Sequence, residues 1–129
     1  MPISFQFSGK TIWVTLTSQY SLDDMKYTSS LILNDPAFTE DMNLLLDARQ
    51  STVNPTLSEI KQRAAFLRSV AHGKAGSIAI VVSDSLRYGL TRMLSIYAQM
   101  EGLNIEAFMD IEQARRWLEP ASRPATSDD

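Results

Sequence analysis

Ser77-Ile78-Ala79-Ile80-Val81-Val82-Ser83-Asp84 is the stretch whose reading decides the fold. Its five consecutive apolar residues, four of them β-branched, are too few for a buried helix. They suit a strand covered on both faces, as the inner strands of a parallel α/β sheet are. Upstream, residues 43–48 carry Leu44-Leu45-Leu46 and read the same way. Two such strands separated by a helical segment make a βαβ unit, whose crossover is right-handed.

The segment between them begins with Thr56-Leu57-Ser58-Glu59, a capping box in which a Thr oxygen and a Glu carboxylate satisfy free N–H groups at a helix start. Ile60, Ala64, Leu67 and Val70 then recur on one face, and the helix stops at His72-Gly73. Downstream, Asp84 opens a third helix running to about Glu101, with Gly102 as its stop. Residues 104–108 form a short, half-polar strand, hence an edge. Asp110 caps a last helix with Ile111, Ala114, Trp117 and Leu118 on one side, ended by Pro120.

At the other end, Ile3, Phe5 and Phe7 alternate with polar residues. Gly9-Lys10 turns the chain into residues 11–17, where Ile12, Val14 and Leu16 share a face, so the chain opens on a hairpin. Ser21, with Asp24 three residues on, starts a helix to about Leu33 whose core face is Leu22, Met25, Ser29, Ile32 and Leu33, while Tyr27 and Leu31 point away. The expected fold class is α/β, in the order ββαβαβαβα: a mostly parallel sheet of about five strands with an N-terminal β-hairpin and four helices. Residues 1–119 make one domain, and the Ser/Pro/Asp-rich residues 120–129 read as a disordered tail.

Composition narrows the function classes. A formal net charge of −3, with Arg115-Arg116 as the longest basic cluster, argues against nucleic acid as a partner. The absence of Cys removes disulfides, zinc-thiolate sites and thiol catalysis. Met1-Pro2-Ile3-Ser4 does not open a secretion signal, and no apolar run approaches the ~20 residues of a membrane span. The expected location is the cytoplasm, with no integral membrane association. Neither a Gly-x-Gly-x-x-Gly nor a Walker loop nor a Gly-x-Ser-x-Gly elbow is present, so no cofactor is expected.

Ligands of open α/β sheets bind beyond the C-terminal ends of the strands, where this chain carries Asp47, Arg49, Ser83, Asp84, Ser85 and Asp110, with Tyr88 just inside the third helix. These seven are the candidate ligand-binding residues. Three carboxylates on one rim have the chemistry for a hard cation or for shifting one another's pKa. N-capping by Asp84 and Asp110 and pairing of Asp47 with Arg49 account for them more simply, so no metal and no catalytic residue is assigned. A phosphoacceptor role for Asp47 would need an acidic pair after the early strand, where Thr17-Ser18-Gln19 stands instead. His72, the single histidine, suits a helix C-terminus better than a general base.

The third helix has Leu86, Leu90, Met93, Leu94, Ile96, Tyr97 and Met100 spread over an arc of roughly 160°, wider than a one-sided stripe. Gly89 inside it costs about 1 kcal/mol relative to Ala and suggests close approach by another group. Gly89, Met93, Ile96, Tyr97 and Met100 are therefore the candidate interface or apolar pocket.

The opening hairpin, Leu44-Leu45-Leu46-Asp47-Ala48-Arg49, the run from Ile78 to Asp84 followed by Tyr88-Gly89, and Phe108-Met109-Asp110 through Ala114 and Trp117-Leu118 together resemble the SpoIIAA-like, or STAS-like, proteins of bacteria over residues 3–118. The resemblance implies a small β/α domain related to anti-sigma-factor antagonists, with a further likeness to Sec14-type lipid-binding domains. Those antagonists carry a phosphorylatable Ser in an Asp-x-Ser-Gly segment. Here the stretch is Asp47-Ala48-Arg49-Gln50-Ser51-Thr52, without the Ser-Gly pair, which leaves Ser51 and Thr52 as weak candidates for modification. The expected function is a non-enzymatic binding or regulatory module, working through a protein partner, a second copy of itself in a homodimer, or a small ligand near the strand ends. The alternatives are a carrier of an apolar or lipid-like molecule lodged between the sheet and the third helix, and a small hydrolase or lyase using the rim carboxylates.

Overall fold

Three crossovers that all step in the same direction determine the layers of this molecule. In the computed structural model, which describes residues 2–71 and 76–119, the strands are β1 (Ile3–Ser8), β2 (Thr11–Ser18), β3 (Asn43–Ser51), β4 (Ile78–Val81) and β5 (Ile105–Phe108). They lie in the order β1-β2-β3-β4-β5. β1 pairs antiparallel with β2, and every other pair is parallel. The helices are α1 (Leu22–Leu33), α2 (Leu57–Ala71), α3 (Ser85–Met100) and α4 (Ile111–Leu118). The expected order and sheet are thus realised, with β3 and β4 inside and β5 at an edge.

Because the parallel strands follow one another without reversal, right-handed connections put all three crossover helices on the same face. Ile32 of α1, Ala64 and Leu67 of α2 and Ala98 of α3 join Val14, Leu46, Ile80 and other sheet residues in the larger core. α4 alone covers the other face, where Ala114 and Leu118 meet Leu45, Ala79 and Val81. A sheet with no strand-order reversal has no switch-point crevice. A site near the strand ends must instead open on the three-helix face.

The capping box expected at Thr56 forms, and the N-cap expected at Ser21 is a second one. Ser21 Oγ accepts from Asp24 N–H at 3.0 Å while the Asp24 carboxylate accepts from Ser21 N–H at 2.9 Å. Thr56 and Glu59 exchange the same pair at 2.8 and 3.2 Å. Asn43, buried at the start of β3, donates to the Leu118 carbonyl and accepts from Ser77 N–H, both at 2.9 Å. It ties β3, the approach to β4 and the end of α4 together. Next to it, a Cβ on Gly76 would collide with the Met42 carbonyl oxygen, so only glycine lets the two chains pass.

Several expectations need correcting. β3 runs to Ser51 rather than ending at residue 48, and β4 and β5 are shorter than residues 77–83 and 104–108. In α1 the buried residues are Thr28 and Ile32, and Leu33, expected on the core face, lies 43% exposed at the helix's last position. Tyr27 and Leu31 face water as expected. His72, Gly73 and residues 120–129 lie outside the described residues. Among the described residues no helix is long and apolar enough to cross a membrane.

Candidate functional site

The site begins with an irregularity in β3. Thr15 pairs with Asp47 but Thr17 pairs with Gln50, so Ala48 and Arg49 together stand opposite the one residue Leu16. An extra residue in one strand is a bulge, and it reverses the side-chain alternation beyond it. Leu46 and Ala48 face the larger core, and past the bulge Ser51, not Gln50, turns to that side and is buried. β2 ends alongside at Ser18, whose φ of 55° is left-handed. That bend sends the chain back over the sheet and lays Tyr20 against the larger core.

Between these strand ends and the N-terminal halves of α2 and α3 lies a cavity of about 70 Å³. Leu46, Ala48, Ile80 and Val82 line its sheet side, Ile60, Arg63 and Leu67 come from α2, and Arg87, Leu90 and Leu94 from α3. Tyr20, Ser51, Val53 and Pro55 also line it. A second, polar depression of about 430 Å³ shares Tyr20, Val53 and Arg63 with the cavity and adds Gln19, Ser21, Leu22, Thr52, Asn54, Glu59 and Gln62. The Tyr20–Arg63 pair stands where the wet depression meets the apolar cavity.

Charge is unevenly placed at this junction: Glu59 stands in the wet depression, within the field of Arg63, and the cavity side carries the cations. No Asp or Glu lines the cavity, while two guanidinium groups do. The Arg63 guanidinium sits 4.9 Å from the Tyr20 ring centroid and reaches the Tyr20 carbonyl only at 3.4 Å. Burial pushes the Tyr20 phenol above its ordinary pKa, against the opposing pull of Arg63 and of the Ser51 hydroxyl. The phenol therefore stays protonated and able to donate. Arg87 gives its Nη1 to Asp84 Oδ2 at 2.7 Å, but its Nε is buried with no acceptor.

The rim residues expected from sequence fall into separate small structures. Arg49 grips Asp47 through Nε and Nη2, both at 2.8 Å, on the α4 face of the sheet. The Arg49 hydrogen bonds hold the Asp47 carboxyl below its usual range, against the desolvation that raises it. Asp84 caps α3 through the Arg87 N–H at 2.8 Å, and that bond, with the Arg87 side chain, lowers its pKa. Asp110 caps α4 through Glu112 and Gln113 N–H. Ser83 donates to the Arg49 carbonyl at 3.0 Å, Ser85 is exposed, and Tyr88 packs on the larger core. Among the described residues no three acidic or imidazole side chains gather closely enough to share an ion. Ser51 is buried beside Tyr20 and accepts from Val53 N–H at 3.2 Å, whereas Thr52 is exposed in the polar depression.

The broad apolar arc of α3 divides in two. Leu90, Leu94 and Tyr97 turn inward beside the fully buried Ser95 and Ala98, and Lys61 lies 5.5 Å from the Tyr97 ring centroid. Leu86, Met93, Ile96 and Met100 stay exposed. A Cβ on Gly89 would meet nothing within 4 Å, so the close approach expected there is not made within the chain. Sequence reasoning missed Tyr20, Arg63 and Arg87. The legible signal was Arg63 set between Ile60, Ala64 and Leu67, a charge at the border of an apolar face.

Compared with known proteins, the chain matches the family model described as SpoIIAA-like over residues 11–119, from β2 to the end of α4. No curated protein matches it.

Proposed function

We propose that this chain, which belongs to the SpoIIAA-like family, is a non-enzymatic binding module that holds a small ligand in the cavity between the C-terminal ends of β2–β4 and helices α2 and α3. Membership supports a binding or regulatory role in general. The observation that carries the finer reading is the cavity itself: an apolar chamber with a few convergent polar groups, opening beside a wet depression. The rim carboxylates are spent on capping and pairing, which speaks against the hydrolase reading.

Native mass spectrometry of the purified chain tests this reading. Thr91 of α3 also lines the cavity, and a small-molecule adduct that disappears when Thr91→Phe fills it would support the reading. Identical adduct retention by that folded variant would place the ligand elsewhere and sink the reading.

A second reading rests on α3. Leu86, Gly89, Met93, Ile96 and Met100 alternate at spacings of three and four, the seam along which two helices interdigitate. Set antiparallel, this pattern meets itself, with Gly89 leaving room for the long Met100 of the other copy and Met93 beside its Ile96. We take a second copy of the chain as the occupant. Sedimentation should then show a dimer that Ile96→Asp converts to monomer, and a monomer at every concentration would overturn it.

A further inference from the structure

We propose that the cavity is selective for a small monoanion with an apolar tail, a short-chain carboxylate, whose charge is read by Arg63 and Arg87. The inference rests on the ligand-binding reading above and specifies its chemistry.

Four observations converge on it. The wall contains two guanidinium groups and no carboxylate, the nearby Asp84 and Glu59 lying outside it, so it favours an anion over a cation. Arg63 makes no direct salt bridge among the described residues, feeling the Glu59 carboxylate only at longer range, and lies on Tyr20 at the boundary between the polar depression and the cavity. Arg87 keeps a buried Nε–H without an acceptor, although its Nη1 is held by Asp84. A buried donor of this kind carries an uncompensated desolvation cost that an incoming carboxylate oxygen removes. Finally, Tyr20 and Ser51 bring hydroxyls to the same lining, where Ser51 hydrogen-bonds Tyr20 and the protonated phenol can donate to an anionic oxygen.

The remaining lining dictates the rest of the ligand. Leu46, Ala48, Ile80, Val82, Leu90 and Leu94 offer no hydrogen bonds and favour methylene groups. At about 70 Å³ the cavity has room for roughly five to seven heavy atoms, taking the ~10–15 Å³ that one enclosed water needs. That size suits a chain of three or four carbons. A longer acyl chain would not be enclosed, and a phosphate or sulfate alone would leave the apolar wall uncovered.

The test is an amide-resolved NMR titration of the full chain with three probes of matched shape: butyrate, n-butanol and n-butylammonium, at constant ionic strength. Butyrate should shift the amides of Tyr20, Ser51, Arg63 and Leu90, and bind at least about tenfold more tightly than butanol, the contribution of one charge-assisted hydrogen bond. Butylammonium should not bind. Arg63→Gln, and independently Arg87→Gln, should each cut butyrate affinity about tenfold and butanol affinity by clearly less. Arg63→Lys, which keeps the charge, guards against a variant that fails to fold. Equal affinity for butyrate and butanol, tighter binding of butylammonium, or butyrate affinity unchanged in both Gln variants would overturn the anion assignment and leave the binding cavity standing. If none of the three probes shifts these amides, the ligand-binding reading falls with it.

Discussion

At the scale of single residues, buried polar groups carry more of this structure than their number suggests. Asn43 answers two backbone groups at once, the Leu118 carbonyl and Ser77 N–H, and it sits where β3, β4 and α4 meet. Asn43→Ala removes both of these hydrogen bonds in a buried setting, so unfolding in urea should show a loss of about 2–4 kcal/mol, more than a cavity of that size alone would cause. Asp47 behaves differently because its partner, Arg49, is partly exposed. The Arg49 bonds lower the folded pKa of Asp47 below its ordinary value of 3.8. The resulting stabilisation is complete above that ordinary value and is lost as pH falls through the folded one. Asp47→Asn should therefore cost about 1 kcal/mol at neutral pH. The wild-type and variant stability curves should converge at acid pH, where a persistent gap would show that the pair does not act through charge.

At the scale of elements, β3 and α3 explain where pattern reading stopped. Leu44-Leu45-Leu46 marks β3 as an inner strand, but the bulge at Ala48 and Arg49 breaks the alternation. The strand therefore looked finished three residues early, and its last residue, Ser51, became visible as a cavity wall only through its pairing with β2. In α3 the width of the apolar arc was legible, and its division was not. Two small residues, Ser95 and Ala98, face the core, which draws the helix close to the sheet and leaves Met93, Ile96 and Met100 outside. Gly89 meets no neighbour. Gly89→Ala should accordingly raise the thermal stability of the isolated chain by about 0.5–1 kcal/mol, the ordinary helix preference for alanine. Under the self-pairing reading the same methyl group enters the seam, so dimer formation measured by sedimentation should weaken even as the fold becomes more stable.

At the scale of the whole molecule, the constant direction of the crossovers sets the position of the site. Three helices share one face, so the space between them and the strand ends is walled chiefly by α2 and α3, with Met25 of α1 and the loop carrying Tyr20 completing it. α4 closes the other face, and there Asp47 and Arg49 are occupied with each other. Residues that stand side by side on a rim in a sequence-based drawing are thus divided between two faces of a sheet. A whole-molecule consequence is that cavity and α3 seam are separable. Ile96→Asp, on the outer side of α3, should leave butyrate affinity within about twofold in the same titration, since exposed sites without shared partners act independently.

The amino-acid sequence by itself determined the order of the elements, the two inner strands, the helix caps at Ser21, Thr56, Asp84 and Asp110, and the family. Each of these is written in local periodicity or in a side chain bonding its own neighbours, and local rules suffice to read them. Only the tertiary structure decided which charges meet. Tyr20, Arg63 and Arg87 come from a loop and two helices far apart in the chain, and they converge because a bulge, a left-handed residue and three same-handed crossovers place them around one cavity. Each of those depends on pairing between distant segments, which no local pattern encodes.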